Sequence, residues 1–415
     1  MHFQKKIKAS ALQLVIVVSV IIVILLFAFI SLMYLQKRIE VKHQHFKEAV
    51  YTTQQYFKYI EKAEIPFGVT DSLAIVSSKN SNTTITKKQW GLFELMNIKT
   101  TVNNDYFQKT ALIGASNLKR EALYLKDNNQ QLIVVGNTTI TGGVSIPSRG
   151  INSGNIGGVS YNKQKYVFGK IKQSSDRIPE ISNKKNIENF ISGFTQDSIE
   201  YFDLSDELTR QNSFLKKTLV YQQNGLIDII NTSLNGNFII ESDSIIRVHA
   251  SSTLKDVILI APKIEIMDEF KGNLQLFATK KIVIGKKCLL EYPSAFVLLD
   301  NQQSSEKDTG IIISKATVVK GLVINLVNSN TNLYTPQILL DLESKIYGEV
   351  YSLSNLELKG EVYGSVYTNS FIARQSGGIY MNHIYNGVIN SELLDKHYSG
   401  LFFSNSKKSI AKWLD

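Results

Sequence analysis

Val319-Lys320-Gly321-Leu322-Val323-Ile324-Asn325, Ile346-Tyr347-Gly348-Glu349-Val350-Tyr351-Ser352 and Val362-Tyr363-Gly364-Ser365-Val366-Tyr367-Thr368 are three versions of one phrase: apolar, any residue, Gly, any residue, Val. Their glycines stand at 321, 348 and 364, the second interval shorter than the first. Around them runs a string of short apolar segments, among them Phe238-Ile239-Ile240, Val257-Ile258-Leu259-Ile260, Leu274-Gln275-Leu276-Phe277, Ile282-Val283-Ile284, Ala295-Phe296-Val297-Leu298-Leu299 and Ile311-Ile312-Ile313. Strands this short cannot each bury an apolar face alone. Stacked as successive turns of a solenoid, each covers the next, and such architectures therefore repeat. A glycine in each repeat suits a corner that leaves no room for a Cβ. Residues 218–400 are therefore expected to form a β-solenoid wound as a right-handed β-helix. Its alternative is a β-sandwich, disfavoured because few Asn-Gly or Asp-Gly turns link adjacent strands; Asn235-Gly236 lies between no clear pair of strands, though Lys271-Gly272 could serve. Glu349 and Ser365, next to two of the glycines, are expected to face solvent.

Outward from this core the pattern changes twice. Residues 172–217 are rich in Ser, Asn, Lys and Asp, with a short helix expected near Asn186–Ile191, and read as a linker or excursion. Residues 64–171 alternate apolar runs with turns, including Ser72–Val76, Trp90–Leu95, Ala111–Gly114 and the glycine-punctuated Leu132–Val144, and read as a small mixed sheet region. Residues 401–415 read as a C-terminal tail. The fold class is thus mainly β.

The N-terminus is the exception. From Ala9 to Gln36 the chain carries no charged residue and is dominated by Val, Ile, Leu and Phe. About 20 such residues cross a bilayer core as helix, and the run is too long for a cleaved signal peptide. The expectation is a cytoplasmic tail at 1–8, a transmembrane helix at 9–36 and a stalk helix at 37–63, on which Ile39, Phe46, Val50, Phe57 and Ile60 share a face. Pro66 and Gly68 punctuate its end. Lys5, Lys6 and Lys8 precede the span and Lys37, Arg38, Lys42 and Lys47 follow it, so charge alone does not orient it. The short leading segment is assigned to the cytoplasm and the larger body to the far side of the inner membrane.

Two resemblances follow from these residues. Lys5-Lys6-Ile7-Lys8-Ala9 followed by Ser10-Ala11-Leu12-Gln13-Leu14-Val15-Ile16-Val17 resembles the start of a type IV pilin or pseudopilin. That family's long first helix is half membrane anchor and half scaffold for a sheet domain. The likeness ends near Ile60 and places Leu14 where pilins carry a glutamate, so removal of residues 1–9 is not expected. The glycine-punctuated repeats are similar to bactofilin-type rungs. Asp71-Ser72-Leu73, Asp197-Ser198-Ile199 and Asp243-Ser244-Ile245 resemble the acceptor motif of a bacterial periplasmic O-glycosylation system, which would make Ser72, Ser198 and Ser244 the modified residues.

Chemistry is sparse. One cysteine, Cys288, excludes a disulfide framework and a thiolate zinc site. It is read as a buried or half-buried strand residue. His43 and His45 are two apart on a helix and cannot share a metal, and His249, His383 and His397 have no partner at ligand spacing. Gly169-Lys170 is followed by Ile171, so no phosphate-binding loop is formed. The carboxylates a polysaccharide lyase or hydrolase would need are Asp256, Glu265, Asp268, Glu269, Asp341, Glu343 and Glu349, and no motif surrounds them. No catalytic, cofactor or metal site is expected. Tyr347, Tyr351, Tyr363 and Tyr367 recur at matched positions and form a ladder, either a contact surface or internal stacking. The formal charge is +10, with no run of five like charges, which fits acidic polymers or lipid better than a nucleic-acid groove. The expected partners are the bilayer and envelope proteins or glycans, with self-association left open and no nucleic acid. The expected role is structural, scaffold or adhesive; a pseudopilin-like subunit and a polysaccharide-active enzyme are the rivals.

Overall fold

The computed structural model describes residues 7–71, 81–117, 120–193, 199–204, 208–299, 309–327, 334–404 and 406–414. The chain is mainly β, with one long N-terminal helix, and divides into two compact units. One unit comprises residues 1–60, 69–86 and 97–109; the other comprises 61–68, 87–96 and 110–415.

In the first unit, helix α1 (Ile7–Ile60) runs without a break for 54 residues, about 81 Å at 1.5 Å per residue. Neither Gly nor Pro falls within it. Its upper half is long and apolar enough to cross a membrane, and its apolar side chains are exposed all round: Leu14 is 68% and Phe27 74% accessible. The lower half buries one stripe, Ala49, Thr52, Thr53, Tyr56, Phe57 and Ile60, at the 3–4 spacing of one helix face. Ile39 and Phe46 are exposed and Val50 is half-buried, so of the stripe read from sequence only Phe57 and Ile60 are buried. Small polar threonines, Thr52 and Thr53, are buried in the contact. Thr53 Oγ1 donates to Thr100 Oγ1 at 2.9 Å, and Thr83 is 3.0 Å from the same oxygen.

The second unit holds a parallel stack. Each turn of the chain lies in parallel register on another turn along three faces. On the first face a column of buried side chains runs Leu290, Val319, Ile346, Val362, Ile389, Ile140. On the second it runs Ile240, Leu259, Leu276, Phe296, Val323, Val350, Val366, Leu123, Val144. On the third it runs Ile227, Ile246, Ile264, Ile282, Ile311, Ile338, Leu356, Phe371. These columns are one interior. Parallel pairing between turns leaves no place for the hairpins a sandwich requires, and neither Asn235-Gly236 nor Lys271-Gly272 is a hairpin turn, both lying inside strands of the stack.

The repeat of the three glycine phrases is the register of the structure. Gly321 pairs with Gly348, and Gly348 with Gly364. All three have φ between +148° and +154°, which is costly for any residue with a Cβ. A Cβ on Gly348 would land on the carbonyl oxygen of Gly321, and one on Gly364 on that of Gly348.

The order of turns along the stack is not the order of the chain. Residues 121–173, read from sequence as part of a separate mixed region, lie on the turn formed by 361–390: Val366 pairs with Leu123, Ile384 with Val134 and Ile389 with Ile140. The chain then passes through helix α2 (Lys184–Ser192) and rejoins the stack at Ile199–Tyr201, which pairs in parallel with Thr218, Leu219 and Val220; the strand Thr209–Asn212 follows. Residues 401–415, read as a tail, hold the strand Lys407–Leu414, paired antiparallel with residues 110–116. The run Trp90–Leu95 is not one strand: the chain turns at Gly91, between the strands Ser81–Trp90 and Phe93–Val102.

Candidate functional site

The second face is covered on its outer side too. Ile239, Ile258, Ala295 and Leu322 lie in one outward column, which Gln275 and Glu349 join, and Ile260, Phe277, Val297, Ile324 and Tyr351 form another. They pack under Trp90, Leu92, Phe93, Leu112, Ile178, Ile181, Ile187, Leu394, Leu401 and Leu414 as a second core. Polar residues pin this cover. The Leu92 N–H donates to Gln275 Oε1 at 2.8 Å, and Lys412 Nζ lies 2.6 Å from Asp256 Oδ2.

Glu349 belongs to this layer. It was expected to face solvent, yet it is 2% exposed, and Ser365 is fully buried. Its Oε2 accepts from the Leu401 N–H at 2.7 Å, and Arg120 Nε is 3.9 Å from Oε1. Burial pushes its carboxyl up to about 7, against the lowering effects of the Leu401 N–H and Arg120. The same guanidinium donates to the carbonyls of Asp395 and Tyr398, and Tyr398 Oη donates to Gly321 O at 2.9 Å. This clasp holds residues 395–401 on the second face.

The tyrosine ladder divides. Tyr347 lies over Tyr363 with ring centroids 4.9 Å apart, and both are half-exposed. Tyr351 and Tyr367 are 3% and 6% exposed and stack inward, Tyr367 also against Tyr124 and Phe403. A contact surface can therefore draw only on Tyr347 and Tyr363; for Tyr351 and Tyr367 internal stacking is the finding, because residues 176–185 and 394–403 cover the second face there. Ser244 is half-buried beside Asp243, whereas Ser72 and Ser198 lie outside the described residues.

Where the cover ends, a groove of about 740 Å³ opens on the second face. Tyr351, Leu326 and Leu353 contribute from the stack and Ile178 and Ile181 from the segment that crosses it. Lys126, Arg177, Lys184 and Lys185 bring four cations to its lining; Asp176 and Glu180 bring two carboxylates. Tyr351 Oη donates to Pro179 O at 3.1 Å, and Tyr124 Oη to Arg177 O at 2.9 Å, fixing the crossing segment on the stack. No local pattern signals this groove, since its lining comes from stretches far apart in the chain, Lys126 at one extreme and Ser404 at the other.

The remaining chemistry is occupied elsewhere. Cys288 is buried, donates to Met267 O at 3.1 Å and has its thiol pushed up to about 11 by burial. Glu265 pairs with Lys263 and Arg247, Glu343 with Lys315 and Glu269 with Lys287, while Asp268 and Asp341 accept from backbone N–H groups. His45 is 3.3 Å from Asp105. Among the described residues no cluster of His, Cys, Asp and Glu could hold a metal ion.

No protein family and no curated protein matches the chain. Among solved structures, the competence-associated pilin ComZ from Thermus thermophilus aligns over 90% of this chain and 98% of its own, with 8% identity and a TM-score of 0.20. A likeness at that level carries no argument about fold or function.

Proposed function

We propose that this chain is a single-pass, membrane-anchored envelope protein that acts as a non-enzymatic scaffold or adhesive element. The observation that carries this reading is residues 11–36 of α1, uncharged and exposed on every side. An apolar surface of that extent needs a bilayer or a partner to cover it, and the run is long enough for the hydrocarbon core. In this reading the N-terminus is cytoplasmic, the bilayer is the inner membrane and the parallel stack is a β-solenoid displayed on the far side. The carboxylates named as candidates for glycan cleavage are each engaged by cations or backbone N–H groups, which supports a binding role over catalysis. Tyr161 and Tyr166, which follow the stack's last third-face strand, and Leu204, Leu208 and Tyr221, around its first turns, pack against the interior. Capped terminal turns favour a discrete body over end-to-end growth.

The test is fractionation. The full chain should stay with membranes through high salt and carbonate, because burial of about 20 apolar residues is effectively irreversible. Release by carbonate would reject the anchor. Protease added outside intact inner-membrane vesicles of known orientation would then report the side on which the stack lies.

A second reading is favoured by one feature. α1 is a single unbroken helix, apolar above and packed on sheet residues below, which is the arrangement that the pilin resemblance implies. A mature N-terminus beginning at Ser10 would promote this reading, a pseudopilin-like subunit; an intact leader would count against it.

A further inference from the structure

We infer that the groove between residues 176–185 and the second face is a binding site for an acidic oligosaccharide. Its size is that of a built ligand site, and its walls divide by chemistry. Lys126 comes from the stack, Arg177 from the crossing segment, and Lys184 and Lys185 from the first turn of α2. Lys184 is 3.7 Å from Glu188, an exposed pair that leaves its charge largely available. Four cations against two carboxylates favour an anion.

The two carboxylates decide which anion. Asp176 and Glu180 would repel a polyphosphate or nucleic-acid backbone, whose charges are closely spaced. They suit a sugar chain, whose hydroxyls donate hydrogen bonds to carboxylates while its sparser acid groups meet the cations. Asn369, Ser182 and Ser404 add neutral polar partners, and Leu326 and Leu353 offer apolar surface to the C–H faces of a ring. The site deepens the adhesive reading by naming the ligand class, and its geometry rests on the second unit alone.

The experiment uses the full chain in detergent micelles, with binding measured calorimetrically against three probes: a short oligogalacturonate, a neutral maltodextrin of the same length and inorganic polyphosphate. The oligogalacturonate should bind, the maltodextrin should bind more weakly, and Arg177→Gln with Lys185→Gln should weaken the first by about tenfold. Both side chains are exposed, so the double variant should melt with the parent. Asp176→Asn with Glu180→Gln should also weaken oligogalacturonate, although it makes the groove more positive. The inference is overturned if oligogalacturonate does not bind, if the Arg177/Lys185 variant binds it unchanged, if the carboxylate variant gains affinity, or if polyphosphate binds as tightly. These results are independent of carbonate extraction, so loss of the anchor and loss of the groove are distinguishable.

Discussion

The second and third faces of the stack share one backbone arrangement and opposite surroundings. On the second face, Leu274-Gln275-Leu276-Phe277-Ala278 is buried at every residue; on the third, Lys281-Ile282-Val283-Ile284 alternates half-exposed and buried. The column that points outward on the third face reads Asp228, Arg247, Glu265, Val283, Ile312, Leu339, Glu357. The equivalent columns on the second face are mostly apolar, with Gln275, Glu349 and Ser365 buried among them, and lie under strands, helix α2 and the C-terminal segment. The lesson concerns where a parallel stack carries its recognition surface. A face that is covered on both sides is rigid and closed, and a ligand can reach it only where the cover ends, at the groove.

The largest effect that could break this comparison lies at the corner where the chain passes from the first face into the second. Gly348→Val should prevent the native stack from forming, because the new side chain meets the Gly321 carbonyl and requires a φ it cannot adopt. The cost should exceed about 4 kcal/mol. A variant that melts with the parent in thermal unfolding would show that the corner is not structural.

Next in size is the contrast itself. Phe277→Ala on the second face should cost about 3–5 kcal/mol, as removal of a wholly buried aromatic does. Ile312→Ala on the third face, half-exposed, should cost under about 1 kcal/mol. Equal losses in guanidinium melts would mean that the cover over the second face contributes little.

Glu349 sharpens the comparison through pH. Its folded pKa, about 7, lies above that of an unfolded glutamate, roughly 4.3. The folded state therefore holds the proton more tightly. The stability linked to this group is fully present below the unfolded value and is lost as pH rises through 7, then stays level. Across that window the parent should lose on the order of a few kcal/mol that Glu349→Gln does not lose. Parallel pH profiles for the two proteins would contradict the burial of this carboxylate.

The smallest effect belongs to the third face. Glu265 is held by Lys263 at 2.7 Å and Arg247 at 3.0 Å, all partly exposed. Glu265→Gln should cost no more than about 1 kcal/mol and less in high salt. A loss as large as that of Phe277→Ala would show that the ion network, and not burial, holds the third face.

Several features needed no coordinates. The uncharged run at residues 9–36 and the absence of Gly and Pro up to Lys62 fix a long helix, because length and apolarity are local properties. The three glycine phrases fix the register of adjacent turns, because a Cβ-free corner must recur wherever turns stack. Cys288 reads as a buried or half-buried strand residue; it is buried, but lies one residue ahead of the strand Leu289–Leu298. Three things were decided only by the tertiary structure. Apolar residues on both sides of the second-face strands call for burial of both sides, but nothing local says that residues 87–96, 110–116, 178–191 and 394–414 supply the outer layer. The placement of 121–173 on the turn formed by 361–390 joins segments far apart in the chain through backbone hydrogen bonds, which any sequence can make. Glu349 looked like a solvent-facing charge after a corner glycine, and only the arrival of Leu401 and Arg120 made it a buried one. Local pattern records a residue's preferences; which distant segment meets them is settled by packing.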